Sequence, residues 1–465
     1  MGTGDADAII GRENEKMTRV TKAIRNSIAS RSGCRVRIGA LLGTFIGHVI
    51  NNGSLRILHP PEVLYTEDVM QNLPSRTRME RMMERIECQS VRPVLPGEVG
   101  ELSERMREEE AGKRSGEIGR TGDPTILFTN YRWSKDSEEL PRSNWHFNTL
   151  SGLRWLDFRD RDSIRTRRNV VCQSGYEFHS AYGCLHKCDY CFLGNMLMVA
   201  LNLEELRDNL DKVIDANPWQ SLYKFDNQTD NLCFEPEYGA SRLFVEYFAD
   251  KPHRYLMLYT KSDNIDHLLD LEHRGKTLVC WTLSCETAAR VYEYGAPPTA
   301  SRIEAARKCQ ESGYTVRFRF SPIIPIKNWR AENKKMIEEL LSKVDPDIIC
   351  IETLTHMSAA QLRRSLDLEH LDPEIMARMD ETMSGDSCGP LPHPVREEIY
   401  RFFIDEIREV SPETPVVTCL ETPEMWKSLE DELRMSPGNY ICCCGPSSTP
   451  ENPLFSRFRS GTPRG

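Results

Sequence analysis

From about residue 170 onward the chain is a series of short apolar runs, each stopping on a polar or ionisable residue. Tyr176–Ser180, Leu222–Phe225, Tyr255–Tyr259, Thr277–Leu283, Thr315–Phe320, Asp347–Ile351 and Val416–Cys419 have the length and the β-branched or aromatic content of buried strands. Amphipathic helices lie between them. Leu203, Leu206, Leu210 and Val213 fall at helical spacing within 203–214, with Asn202 as the expected N-cap. A helix over 265–272 is expected to end near Gly275, and one over 301–311 before Gly313. The longest helical patterns cover 331–344 and 394–410. Strands alternating with helices make βαβ units and hence a parallel sheet. Seven such strands predict an α/β fold, a partial (β/α) barrel of about six or seven parallel strands. No Gly-x-Gly-x-x-Gly follows a strand and no Walker A motif is present, so nothing points to a dinucleotide or P-loop fold.

Chemistry in such barrels gathers at the C-terminal ends of the strands. In order, those ends carry Cys184, Cys188 and Cys191, then Asp226 and Asp230, Lys261, Ser284 and Glu286, Arg319 and Ser321, Glu352, and Cys419 with Glu421. One polar ending means little; a full ring of them predicts a polar site at one mouth. Glu352 and His356 near the sixth strand are acid or base candidates with no pairing visible in the sequence.

The sharpest local signal is Gly183-Cys-Leu-His-Lys-Cys-Asp-Tyr-Cys-Phe-Leu. Its cysteines are spaced C-x3-C-x2-C directly after the first strand. Three thiolates within eight residues wrap one face of a cubane iron–sulfur cluster, and the missing fourth ligand leaves one iron open. A structural zinc site would ordinarily close with four ligands in paired knuckles. His179 and His186 lie close by but make no usual pair, so zinc is the weaker alternative.

This loop resembles the signature of radical S-adenosylmethionine enzymes, with an aromatic just before the last cysteine. The resemblance extends to the spore photoproduct lyase-like branch. It is carried by YGCLHKCDYCFLGN, by the segment from Phe225 to Pro236, by YTKSDNIDHLLDLEHRGKT, by WTLSCE and by PPTASRIEAARKCQESGYTVRFRFSPIIP, over about residues 170–360. It implies that Cys184, Cys188 and Cys191 bind a [4Fe-4S] cluster whose open iron chelates S-adenosylmethionine. Reductive cleavage would give a 5′-deoxyadenosyl radical that abstracts hydrogen from a substrate. The resemblance also implies cofactor contacts from Tyr190, Lys261 and Ser284 and a one-electron reductant of the flavodoxin or ferredoxin type; Arg319, at the end of its strand, is a further cofactor-binding candidate.

Two departures separate this chain from the lyase pattern. The hydrogen-donor cysteine expected after the second strand is replaced by Asn227 or Gln228, and Cys233 stands several residues further on. The tyrosine expected after the last cluster cysteine is Phe192, which has no phenol hydrogen to give. The substrate is therefore left unidentified, with nucleic acid open. A repair lyase with a relocated donor is one alternative, and a non-catalytic zinc or iron–sulfur protein another. Candidate donors are Cys233 and the tail thiols Cys442, Cys443 and Cys444. The tail thiols, with Cys419, are also candidates for a second metal centre, although three adjacent side chains point to different sides. Cys280, Cys285, Cys309 and Cys350 read as core.

The whole chain has 465 residues and 16 cysteines, and its net charge of −10 argues against a generic cationic nucleic-acid binder. The expected divisions are an N-terminal extension over 1–120, irregular and partly disordered, an Arg-rich lead-in over 121–169, the radical enzyme barrel over 170–425 and a Cys-rich tail over 426–465. Within 1–120 no strand–helix alternation is visible; 79–85 and 101–110 read as short exposed helices. The apolar run over 38–50 is too short to span a bilayer and lacks a clear cleavage site. The reading is a cytoplasmic protein with reduced thiols and no membrane partner.

Overall fold

In the computed structural model the described residues are 56–95, 98, 101–102, 113–119, 122–131, 155–193, 196–382 and 388–459. The 38–50 run and most of the 101–110 segment lie outside them. Strands in chain order are β1 (Val63–Tyr65), β2 (Val91–Pro93), β3 (Thr125–Thr129), β4 (Leu156–Arg159), β5 (Gly175–Phe178), β6 (Ala181–Tyr182), β7 (Met196–Ala200), β8 (Leu222–Phe225), β9 (Tyr255–Thr260), β10 (Thr277–Leu283), β11 (Thr315–Phe320), β12 (Ile349–Ile351) and β13 (Val416–Thr418).

Eight of them form one sheet in the order β13-β12-β11-β10-β9-β8-β5-β4. All seven predicted strands are there, all parallel to their neighbours, with β4 added antiparallel at one edge. Among the described residues β4 and β13 do not pair, so the barrel is open. Every residue of β10 is buried, which is the signature of a parallel strand covered on both faces. On the outer face Phe178 of β5, Phe225 of β8 and Phe244 of the helix Ala240–Ala249 pack ring against ring, with centroids 4.7–5.0 Å apart.

The helices follow the predicted pattern: Leu203–Ala216, Thr299–Glu311, Trp329–Lys343 and His393–Val410. Two details differ. Asn202 sits at an N-cap, but its side chain holds the backbone N–H and C=O of Tyr131 instead of capping the helix. The segment 265–272 makes only a single 3-10 turn, Asp266–Leu268, because its few apolar residues are spent on a short connection between β9 and β10.

A second, five-stranded sheet in the order β2-β1-β3-β7-β6 was not visible in the sequence. Part of the 1–120 segment therefore carries regular structure: β1, β2 and the helix Leu73–Met83, whose Met79 and Met82 are buried. β1 and β2 are three residues each, too short for any periodicity to register. Arg78 ties this layer to the other. It donates to the Tyr238 carbonyl at 2.9 Å and pairs with Glu204 at 2.7 Å, while the Tyr238 hydroxyl donates to Ala200 O at 2.7 Å. No described helix is long and apolar enough to cross a membrane.

Candidate active site

The cysteine loop begins where β6 ends. Gly183 turns the chain with φ +95°, and a Cβ there would stand 2.2 Å from Met196 O, so no other residue fits. The loop is then held from three sides by backbone hydrogen bonds. Gly183 N–H donates to Gln228 O, Asp189 N–H to Tyr292 O, and Ser115 N–H to Cys191 O, at 2.8–3.0 Å. Gly295 adds a fourth contact: its N–H donates to His186 O, and a Cβ there would meet Leu185 O at 2.5 Å.

Cys184, Cys188 and Cys191 all line a cavity of about 190 Å³ at the C-terminal mouth of the sheet. Of the predicted strand-end ring, Asp230, Lys261, Ser321 and Glu352 share that lining, together with Tyr190 and His356, while Asp226, Ser284, Glu286, Arg319, Cys419 and Glu421 do not. Burial drives all three thiols upward from their ordinary range, Cys188 to about 12. Within the loop no fourth cysteine completes the set.

His186 braces the loop from inside. Its Nδ1 lies 3.0 Å from Gly295 O and its Nε2 2.8 Å from Asp230 Oδ2. Asp230 also accepts from Thr260 Oγ1 and from the Lys261 backbone N–H. Burial raises the Asp230 carboxyl, but His186 and these donors outweigh it and hold the group below its usual range. Cys233 comes to the same place, with Sγ 3.5 Å from His186 Nε2. His186, Asp230 and Cys233 thus form a compact cluster behind Cys184.

Tyr190, Lys261 and Ser284 meet at a residue sequence reasoning did not single out. Glu293 accepts from Tyr190 Oη at 2.5 Å and Ser284 Oγ at 3.0 Å, and its Oε1 lies 3.9 Å from Lys261 Nζ. Its other oxygen pairs with Arg302 at 2.6 Å, and both side chains are fully buried. Burial pushes Glu293 up, yet Arg302 and then Lys261 bring it down to about 2. The signal was a glutamate just past the end of one helix and an arginine in the first turn of the next, a pattern shared with ordinary surface positions. Ser284 itself reaches Glu293 without lining the cavity.

Arg319 also stands apart from the cavity lining. It lies below the floor, bound to Glu352, with its guanidinium 5.5 Å from the Tyr259 ring. Glu352 in turn accepts from Ser321 Oγ at 2.8 Å and approaches His356 Nε2 at 3.7 Å. Glu421 is spoken for by Arg396 at 2.8 Å, both fully buried. Cys442, Cys443 and Cys444 pack inside the barrel beneath the floor, Cys443 against Cys280 and Cys444 against Arg159, and none of the three lines the cavity. The Arg-rich lead-in forms the exposed helix Arg161–Arg168, whose Arg168 donates to the carbonyl of the cavity residue Thr355.

The donor set fits a cluster with one ligand short. Three soft thiol donors face a cavity that no disulfide closes. Around it, Asn227 Oδ1, Thr229 Oγ1 and Thr282 Oγ1 are buried with no hydrogen-bond partner, polar atoms aimed where a polar cofactor would satisfy them.

Comparison with known proteins agrees. Residues 170–383 match the family model described as spore photoproduct lyase. The spore photoproduct lyase of Bacillus subtilis (strain 168) is 26% identical over 216 residues, 44% of this chain and 63% of that protein. An uncharacterized protein of Acidianus two-tailed virus is 25% identical over 190 residues, 37% of this chain and 63% of its own length. The chain thus spans under two thirds of the length of these relatives. In fold it is similar to a spore photoproduct lyase solved with a dinucleoside spore photoproduct, at TM-score 0.52 and 17% identity, covering 78% of this chain and 99% of the other. A variant of that enzyme with bound AdoMet and the same ligand gives TM-score 0.53 at 18% identity, with the same coverage.

Proposed function

We propose, from the premise that residues 170–383 belong to the spore photoproduct lyase-like branch of the radical S-adenosylmethionine enzymes, that this chain reductively cleaves S-adenosylmethionine and takes hydrogen from a substrate held in the same cavity. The observation that carries the reading is the three-thiol loop facing a pocket walled by Tyr190, Lys261 and Asp230. Cys184, Cys188 and Cys191 would hold a [4Fe-4S] cluster. When bound, cluster and S-adenosylmethionine supply one-electron cleavage chemistry that no side chain performs.

The chain's own residues do the rest. Glu293 fixes the Tyr190 ring against the loop and places Lys261 Nζ 5.7 Å from that ring's centroid, so both groups are preset. Lys261 has a cationic head for a carboxylate or ribose oxygen of the cofactor. Asn227, Thr229 and Thr282 offer the unused polar atoms. Glu352, Ser321 and His356 form an acid–base group on the opposite wall. Electrons would come from a small one-electron carrier of the flavodoxin or ferredoxin class.

A second reading has a specific observation behind it. Cys233 does not line the cavity itself but lies within 3.5 Å of His186, which does; a relocated hydrogen donor at that position would make the chain a repair-type lyase acting on nucleic acid. The first test is anaerobic reconstitution: the wild type should take up iron and absorb near ~400 nm, and C188A should not. Equal uptake by C188A contradicts the cluster assignment. The second is DNA binding against salt, where a steep loss of affinity favours the repair reading and none contradicts it.

A further inference from the structure

The three adjacent tail cysteines have different surroundings. They sit in a turn over 442–445, closed by Gly445 N–H donating to Cys442 O at 3.1 Å. Gln173 pins both flanks of this turn, donating to Tyr440 O at 3.2 Å and to Ser447 Oγ at 2.6 Å. Cys443 points to Cys280, with the two sulfurs 3.8 Å apart and both residues enclosed. Cys442 and Cys444 turn to each other instead, with Sγ atoms 4.0 Å apart and no disulfide between them. Among the described residues the one group of metal-capable side chains at ligand spacing is His186, Asp230 and Cys233. The tail thiols and Cys419 therefore do not make the second metal centre that the sequence left open.

Buried cysteines are usually small hydrophobes. Arg159 sets Cys444 apart from these. Its guanidinium donates to Cys444 Sγ at 3.3 Å and to Cys444 O at 3.2 Å. Arg159 and Lys224 share one carboxylate, Glu177, and all three side chains are largely buried. Asp157, on the same strand as Arg159, lies against His179 at 3.9 Å. Two cations against one anion leave a positive charge where uncompensated charge is costly. A thiolate at Cys444 brings that sum to zero and accepts the Arg159 hydrogen bond better than a thiol does. Cys442, as the S–H donor, and then Arg159 and Lys224 hold the Cys444 thiol well below its ordinary range, although burial pushes it up. A low-lying thiolate beside a second thiol is the arrangement that thiol–disulfide exchange requires.

We propose that Cys442 and Cys444 are a redox-active dithiol that exchanges with a small disulfide and closes a Cys442–Cys444 bond, Cys442 being the entry thiol and Cys444 the resolving thiolate. Cys442 is half-buried and Cys444 buried, so the entry sulfur is the more open one. Their chain neighbours Tyr440, Pro446 and Ser447 line an open cleft of about 720 Å³ beside the starts of β8 and β9. In the first step Cys442 attacks one sulfur of the small disulfide, and its proton goes to the thiolate that leaves. In the second, the Cys444 thiolate attacks the Cys442 sulfur of the mixed disulfide and expels the other thiolate, which takes a proton from solvent. One S–S bond breaks, one forms, and two electrons pass from the pair to the small disulfide. Closure also withdraws the thiolate from Arg159. The pair shares no residue with the cysteine loop and does not rest on the radical reading, so each can fail alone.

The test is a redox titration of the full chain, reduced and kept anaerobic. It is equilibrated with oxidised and reduced glutathione at stepped ratios, then acid-quenched, alkylated and cut with trypsin. Trypsin releases residues 435–457 as one peptide carrying all three tail cysteines. The expected product has a Cys442–Cys444 bond, an alkyl group on Cys443 alone, and full reversal by reduced glutathione. Cys444→Ser removes the resolving sulfur and should leave glutathione attached to Cys442, whereas Cys442→Ser should take up none in this peptide. Arg159→Gln should slow closure by about tenfold or more as the thiolate fraction falls. If R159Q does not fold, C442S and C444S decide alone. No bond at any ratio overturns the pair, as do a Cys280–Cys443 bond in its place, a C444S chain free of glutathione, or closure in folded R159Q at the wild-type rate.

Discussion

Glu293 is where single residues matter most outside the loop. It joins Tyr190, Ser284, Lys261 and Arg302, and it is fully buried. Glu293→Gln removes the charge facing Arg302 and strands a buried guanidinium, a loss of about 3–5 kcal/mol by the usual cost of breaking a buried pair. Chemical denaturation checks this. The carboxyl is depressed to about 2 in the fold, below its unfolded value of ~4.3. A group depressed by folding contributes its stability above the unfolded value and loses it as pH falls through the folded one. The wild type should therefore lose this contribution between about pH 4 and pH 2, while E293Q shows none of that slope. Glu293 was illegible in the sequence because burial of a charge depends on which distant partner meets it, and no spacing encodes Arg302. The C-x3-C-x2-C loop was legible because its three thiols sit close in the chain, and the fold turns all three to one cavity.

Among elements, the cysteine loop is the most constrained. Gly183 combines a positive φ with a 2.2 Å approach to Met196 O, so Gly183→Ala must shift either the loop or β7. We expect G183A to fold but to bind a small fraction of wild-type iron after reconstitution, measured per chain by elemental analysis; full iron content contradicts the brace. Cys233→Ala tests the 3-10 turn Asn231–Phe234. If Cys233 returns hydrogen to the product, C233A keeps cofactor cleavage and loses normal product, and unchanged product contradicts the role. Elements were legible where they were long or buried. β8, β10 and β11 match their predicted ends because their apolar runs are continuous and bounded by polar residues. β1 and β2 escaped notice because three residues carry no pattern, and β7 because it follows the loop with no helix between.

At the scale of the molecule, two sheets and a tail close around one polar interior. The tail is held by Arg317 to the carbonyls of Cys443 and Ser448, by Ser221 to Pro446 O and by Gln173 to Ser447. Removing residues 440–459 would leave Arg317 and Arg159 without these acceptors inside the barrel, and a fall in thermal midpoint of several degrees or more is expected. An unchanged midpoint contradicts a structural tail. The parallel barrel was legible from the order of strands and helices, while its thiol-filled interior was not, since Cys172, Cys280, Cys350 and Cys443 are far apart in the chain and meet only in the fold. The most direct test of the whole account is anaerobic incubation with reductant and S-adenosylmethionine, assayed for 5′-deoxyadenosine. The wild type is predicted to form it and C188A to form none; no product from the wild type, or equal product from C188A, contradicts the radical assignment.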